Sequence, residues 1–351
     1  MVGILHGPSN HDHDSDDEMI QSDAFREAVK ERVREDCSRP IKRAYDATSS
    51  AAARGGYLRL NRQSVPEFHH VRSSASRAKQ SEVPLIPRRI NDVNVTGVYA
   101  ETWNGDSYLL HADNAWGILM FATSENLTVL QQCSDIHIDG TFRSVPKPYY
   151  QFVTIHGNFH GRVIPLVGVL MNGKTIGQYR QVFQTLKTNV RQTTGHRLKP
   201  KRIVCDFEIA LISSVETEIP GARICGCLFH FRQSLFRKLK ELGLGQAYRQ
   251  DQNFKAAVAK FMSMGFLPVQ LVRHNFVMFS TSRAFIRLCM QYPSLNLFVR
   301  YIDNTYIVGR FPPPIWNVYM RTRRNRSNNY VEGYVKKHNY KLTYTSSLCL
   351  D

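Results

Sequence analysis

The sequence switches between two hydrophobic periods, and the switches divide it. From Ser22 to about Ala53, Phe25, Val29 and Val33 recur every four residues among charges, which predicts a solvated helix with one apolar stripe. Residues 54–90 lose the stripe. Arg54-Gly55-Gly56, Ser73–Arg77, Pro84, Pro87, Arg88 and Arg89 read as a basic linker with short helical pieces. Short strands are expected at Tyr108-Leu109-Leu110 and Trp116–Phe121, with a turn at Asn104-Gly105-Asp106. Ser124 is placed to cap a short helix carrying Leu127, Leu130 and Cys133.

In Ser134–Phe142, Ile136 and Ile138 alternate with polar neighbours, the period of a half-buried strand. That strand is expected to end at Asp139, where Gly140 allows a sharp change of direction. Tyr149–Phe159 and Val163–Met171 are rich in β-formers, and Gly161 lies in the turn between them. Three consecutive strands are therefore expected to run antiparallel. Thr175-Ile176-Gly177-Gln178 is a capping box opening a helix with Tyr179, Val182, Phe183, Leu186 and Val190 on one face, ending near Gly195. Arg202–Asp206 predicts a fourth strand, again closing on an aspartate. A helix through Ile209, Leu211, Ile212 and Val215 follows, then a fifth strand over Ala222–Phe229 and a helix carrying Leu235, Leu239 and Leu242. The order βββαβαβα predicts an α/β fold, a mixed sheet flanked by helices.

Residues 246–320 read as mostly helical, through Phe254, Val258 and Phe261, then Val272–Met290, then Leu295–Tyr306, until Pro312-Pro313-Pro314. The expected divisions are an acidic tail (1–22), a helical and basic linker region (23–95), an α/β core (96–245), a helical insertion (246–320) and a C-terminal helix and end (321–351).

Composition narrows the partner. The 351 residues are 42% hydrophobic and 21% charged, enough for a sizeable core, and the net charge is +17. That excess favours a polyanion, nucleic acid before a membrane surface. No run approaches the ~18 apolar residues of a membrane span, and Met1–His6 lacks the features of a secretion signal. Seven scattered cysteines, an odd count, fit a reduced intracellular chain. Asp12, Asp14, Asp16, Asp17 and Glu18 mark residues 8–22 as a solvated, disordered tail containing His11 and His13. Arg321, Arg323, Arg324 and Arg326 form a basic run, a candidate grip on DNA phosphates or simply a solvated surface.

Two strands ending in Asp139 and Asp206 bring two carboxylates to one sheet edge if they are neighbours. Such hard oxygen donors suit Mg²⁺ or Mn²⁺, and two metals clamp an in-line displacement at phosphorus. A third carboxylate normally completes such a pocket, and Glu208 and Glu332 are the candidates. Glu208 also suits a helix N-terminus. Glu332 stands three residues after Asn329 and four before Lys336, spacings for a capping box and an ion pair.

Ile138-Asp139-Gly140-Thr141-Phe142, Cys205-Asp206-Phe207-Glu208-Ile209-Ala210, Gly226-Cys227-Leu228-Phe229-His230-Phe231, and Trp316-Asn317 with Asn328-Asn329-Tyr330-Val331-Glu332-Gly333 resemble, in order, the motifs of MULE (Mutator-like element) transposases over residues 100–340. The resemblance implies an RNase H-like fold with a DDE triad of Asp139, Asp206 and Glu332. It also implies two bound Mg²⁺ or Mn²⁺ ions, DNA cleavage and strand transfer, a nuclear location, and homo-oligomers joining two element ends. The all-helical insertion before the last catalytic helix fits the family. Its Cys-x-x-His falls on Cys227 and His230, one half of a Zn²⁺ site with Cys225 as a third candidate, or else a core cysteine and a strand-end histidine. Many relatives begin with a FLYWCH-type zinc finger. Only Asn10-His11-Asp12-His13 resembles its tail, so a truncated finger is expected. Tyr334-Val335 stands where relatives often have Trp-His. The rival expectations are a non-catalytic DNA-binding protein domesticated from a transposase, and a nuclease that cuts without joining.

Overall fold

The computed structural model describes residues 17–37, 39–54, 65–82, 87–102, 104–142, 145–322 and 325–328. Two compact units divide at residue 86. In the first, α1 (Asp17–Glu35), α2 (Ile41–Ala53) and α3 (Phe68–Ser81) close a core of their own. The stripe of Phe25, Val29 and Val33 is fully buried against Ala44, Val71, Ala75 and Ala78. Tyr45 sits edge-on to Phe25 and Phe68, with centroids 5.4 and 5.5 Å away. Helix α1 thus begins inside the stretch expected to be a disordered tail. Helix α3, four turns long, replaces the expected linker with short helical pieces because its small side chains let it pack closely on α1.

The second unit carries β1 (Leu109–Asp113), β2 (Ile118–Phe121), α4 (Ser124–Gln132), β3 (Asp135–Thr141), β4 (Gln151–Phe159), β5 (Arg162–Met171), α5 (Ile176–Thr194), β6 (Arg202–Cys205), α6 (Ile209–Glu218), β7 (Arg223–Gly226) and α7 (Leu228–Glu241). Its seven-stranded sheet runs β1-β2-β5-β4-β3-β6-β7. The strands are antiparallel as far as β3, and β6 and β7 join in parallel after helical crossovers. This is a mixed sheet flanked by helices, the RNase H-like arrangement. Then come α8 (Gly245–Gln250), α9 (Gln252–Ser263), α10 (Val269–Ser280), α11 (Arg283–Gln291), α12 (Leu295–Ile302) and the single turn α13 (Pro313–Trp316). Among the described residues no helix is long and apolar enough to cross a membrane.

Local chemistry explains most boundaries. The capping box at Thr175 and Gln178 is formed, and α5 ends on Gly195 at φ 71°, a left-handed conformation that glycine adopts without a Cβ clash. The hairpin between β4 and β5 turns on His160 and Gly161, both with positive φ, because such turns match the twist of the strands. Helix α4 is capped by Thr123, one residue before the expected Ser124. The run from Val272 to Met290 breaks at Thr281-Ser282, where the Ser282 hydroxyl accepts from the Phe285 amide to start α11. The predicted fifth strand stops at Gly226, and Cys227 is already the N-cap of α7.

Candidate functional site

Strand β3 was expected to be half-buried and to end at Asp139. It is instead covered on both faces from Asp135 to Asp139 and runs on through Gly140 and Thr141, paired with Val153 and Phe152 of β4. Ile136 and Ile138 enter the main core. Asp135, His137 and Asp139, two residues apart, share the other face. Burial of polar side chains demands polar partners, and this stripe meets a series of them. Asp135 takes both Nε and Nη2 of Arg202, at 2.6 and 2.8 Å, and the Asn325 amide at 2.9 Å. His137 Nδ1 lies 3.2 Å from Asn328 Oδ1. Asp139, 7% exposed, faces His230.

The second aspartate comes from the next strand. Strands β3 and β6 pair in parallel with Asp135 opposite Arg202, Ile136 opposite Ile203 and His137 opposite Val204. Asp139 and Asp206 each lie two residues beyond the last of these pairs. Strand β6 has ended at Cys205, so the Asp206 side chain is 44% exposed and accepts from the following amide, Phe207 N, at 2.6 Å. His230, in the first turn of α7, is placed between the two. Its Nε2 is 3.8 Å from Asp139 Oδ1 and its Nδ1 is 3.9 Å from Asp206 Oδ1. These separations exceed hydrogen-bond length, but one imidazole has both carboxylates beside it.

The residues flanking these three hold them from behind. Phe207 and Phe231 each follow a site residue and point into the insertion. Phe231 stacks on Trp316 at 4.5 Å, and Phe207 stands edge-on to Tyr306 and Phe311 at 5.5 and 5.2 Å. Trp316 Nε1 donates to the carbonyls of Tyr306 and Phe311. Any Cβ at Gly226 would lie 2.4 Å from the Phe207 ring, so that ring position requires glycine.

Glu208, the lesser candidate, sits at the N-cap of α6 without capping it. Its Oε2 accepts from the Tyr179 hydroxyl at 3.2 Å, and that hydroxyl accepts from Gln151 Nε2. Burial pushes the Glu208 carboxyl above its ordinary range, against the pull of the Tyr179 hydrogen bond and Lys174. Glu332 lies outside the described residues. The segment leading towards it, residues 325–328, is fixed to both site elements. Asn328 Nδ2 donates to Ile138 O at 3.0 Å, Asn328 N donates to Cys227 Sγ at 3.1 Å, and Leu228 N donates to Arg326 O at 2.8 Å.

Two expectations change. Cys225 in β7 and Cys227 at the N-cap of α7 lie in one small buried cluster with Val204, and the Cys227 sulfur receives the Asn328 amide. Burial pushes that thiol up to about 12, so the neutral form persists. Cys227 is the N-cap of α7 and His230 stands in its first turn beside the carboxylates, a helix residue rather than a strand-end one. Arg321, expected to grip phosphates, is 9% exposed and donates to the carbonyls of Gly226 and Ile315. Arg326 Nε donates to Arg321 O, and its guanidinium lies over the Phe266 ring. Arg323 and Arg324, like the His11 and His13 region, lie outside the described residues.

Among the described residues no three His, Cys, Asp or Glu side chains gather closely enough to hold a metal. The donor chemistry nonetheless fits a hard divalent cation. A buried carboxylate, Asp139, and a half-open one, Asp206, flank His230, and both are hard oxygen donors of the kind such a cation takes. The residues that sequence reasoning missed are Asn325, Asn328 and Arg202. Only Asn328 carried a signal, as the first residue of the Asn-Asn-Tyr motif.

No curated protein matches the chain. Residues 136–234, from β3 into α7 and including Asp139, Asp206, Cys227 and His230, match the family model of the MULE transposase domain, so this part of the chain is similar to that domain.

Proposed function

We propose that the chain is a DNA transposase, or the catalytic part of one, cleaving phosphodiesters and transferring strands with Mg²⁺ or Mn²⁺. The observation that supports this most directly is the convergence of Asp139 and Asp206, from adjacent parallel strands, on one imidazole. Asp139, Asp206 and Glu332 are the residues that would hold the ions. When bound, the ions supply an acidified water and neutralise charge on the leaving oxygen. Hydrolysis of a phosphodiester leaves a 3′-hydroxyl. That hydroxyl then attacks a phosphorus of target DNA, and the broken P–O bond releases a new 3′-hydroxyl. His230 stands beside both carboxylates, and the ion pair of buried Asp135 with half-exposed Arg202 ties β3 to β6 beneath them. In this reading the protein works in the nucleus as a homo-oligomer spanning two element ends.

Substituting Asp139→Ala tests it. Mn²⁺-dependent nicking of supercoiled DNA is expected to fall by about two orders of magnitude, from loss of several kcal/mol of charge stabilisation, while DNA affinity stays unchanged. An intact chain that binds DNA and never nicks it, beside a reconstructed N-terminal finger, favours the domesticated DNA-binding protein instead. Nicking without strand joining favours a plain nuclease.

A further inference from the structure

A cleft of about 720 Å³ is lined by Lys187 and Arg191 of α5, by Arg197, Lys199 and Lys201 of the loop entering β6, and by Glu218 at the end of α6. Lys201 immediately precedes β6 and Asp206 immediately follows it. At ~3.3 Å per residue those two positions are about 17 Å apart, well beyond the ~8 Å screening length of physiological salt. The cleft's charge therefore does not serve the carboxylate site.

The single acid in this lining is already satisfied. Glu218 binds Lys187 at 2.8 Å and Arg180 at 2.9 Å. Arg191, Arg197, Lys199 and Lys201 have no ion-pair partner among the described residues, and all four are exposed. Their arrangement is built. Leu198 and Pro200 are buried between exposed Arg197, Lys199 and Lys201, so the three cations alternate with two anchors, and all five line the cleft. The loop starts from the left-handed Gly195. It ends with Lys201 N donating to Ser134 O at 2.8 Å and Lys201 O accepting from Arg223 N at 2.9 Å. Four like charges held together on such a platform repel one another and call for a counter-charge. Arg197 to Lys201 spans up to about 13 Å, too far for one small anion to touch both ends. A DNA strand carries one phosphate per ~3.4 Å of axis, so the row faces about four of them.

We propose that this cleft is a second nucleic-acid contact, gripping the phosphodiester backbone of DNA away from the catalytic centre. The choice of DNA as the polyanion rests on the transposase reading; the anion site itself does not. The test uses the full chain with Arg191→Gln, Arg197→Gln and Lys199→Gln combined. A charge-matched control carries Lys255→Gln, Arg273→Gln and Arg287→Gln, exposed positions of the helical insertion. Binding of labelled duplex DNA is followed by anisotropy across a salt series. The cleft variant is expected to lose at least ~10-fold in affinity and to flatten the log–log salt slope by up to about 2.7, at ~0.9 per phosphate released. A change no larger than the control's overturns the proposal, as does weakened binding of poly-glutamate with DNA binding intact. If the triple variant melts early, Arg197→Gln alone is expected to flatten the slope by about 0.9, and an unchanged slope overturns the proposal equally. Nicking, read in the same samples, separates the two claims. Nicking with an unaltered slope sinks the cleft alone, and a flattened slope without nicking sinks the catalytic reading alone.

Discussion

Asn328 shows how much one side chain carries in this fold. It is fully buried and joins β3, the start of α7 and the segment that precedes Glu332. Asn328→Ala leaves the Ile138 carbonyl and the His137 ring nitrogen without their partner, at a cost of about 1–3 kcal/mol. Urea denaturation is expected to show a lower midpoint with an unchanged slope. Glu218 gives a pH test. Burial alone pushes its carboxyl up, but hydrogen bonds from Lys187, Arg180 and Gln184 outweigh that and hold it at about 2. Its contribution is therefore complete above the ordinary value of 4.5 and is lost as pH falls from there to about 2. Glu218→Gln is expected to destabilise by about 1–2 kcal/mol at neutral pH, with melting temperatures of the two proteins converging across that acid window. At this scale the placement of Asp139 and Asp206 on neighbouring strands was legible because each stands at or near the end of a short β-forming run. Arg321 was not, because a sequence displays its charge and hides the Gly226 and Ile315 carbonyls that consume it.

Among the elements, the β4–β5 hairpin is held by a two-residue turn with His160 at φ 45° and Gly161 at φ 73°. A β-carbon in that region costs ~1–2 kcal/mol. His160→Gly is therefore expected to raise the melting temperature, and Gly161→Ala to lower it; thermal denaturation followed by circular dichroism checks both. Elements whose determinants are local were read correctly from sequence, above all α5 with its Thr175–Gln178 box and Gly195 stop. Elements decided by tertiary contact were misjudged. The apolar run Cys225–Phe229 suits a strand as well as a helix start, and packing of Phe231 against Trp316 settles it for α7. Helix α3 looked like linker because Val71, Ala75 and Ala78 make a narrow stripe whose partner lies some forty residues earlier.

For the molecule as a whole, the aromatic cluster makes the insertion part of the site's foundation. Trp316→Ala removes the stack on Phe231 and is expected to cost about 3–5 kcal/mol. Because Phe207 and Phe231 adjoin Asp206 and His230, nicking is expected to fall more than the unfolded fraction accounts for, measured by activity against folded protein counted from its circular dichroism. The three-helix unit closes its own small core, and chains of that size are marginal. Phe25→Ala is expected to abolish amide-exchange protection across α1 to α3. The mixed sheet was legible in outline from the βββαβαβα order. At one end of the sheet, β2 falls within the strand expected over Trp116–Phe121, while the edge strand β1 was visible only as the fragment Tyr108-Leu109-Leu110.

The sheet order also sets a timetable. The chain from β3 through β5 folds back on itself and pairs locally, so Asp139 is in place early. Asp206 reaches it only after all of α5 has been made and has crossed over, a contact distant in sequence and correspondingly slow to form. A half-emerged chain therefore presents Asp139 without Asp206, and the pair exists only once β6 has docked beside β3.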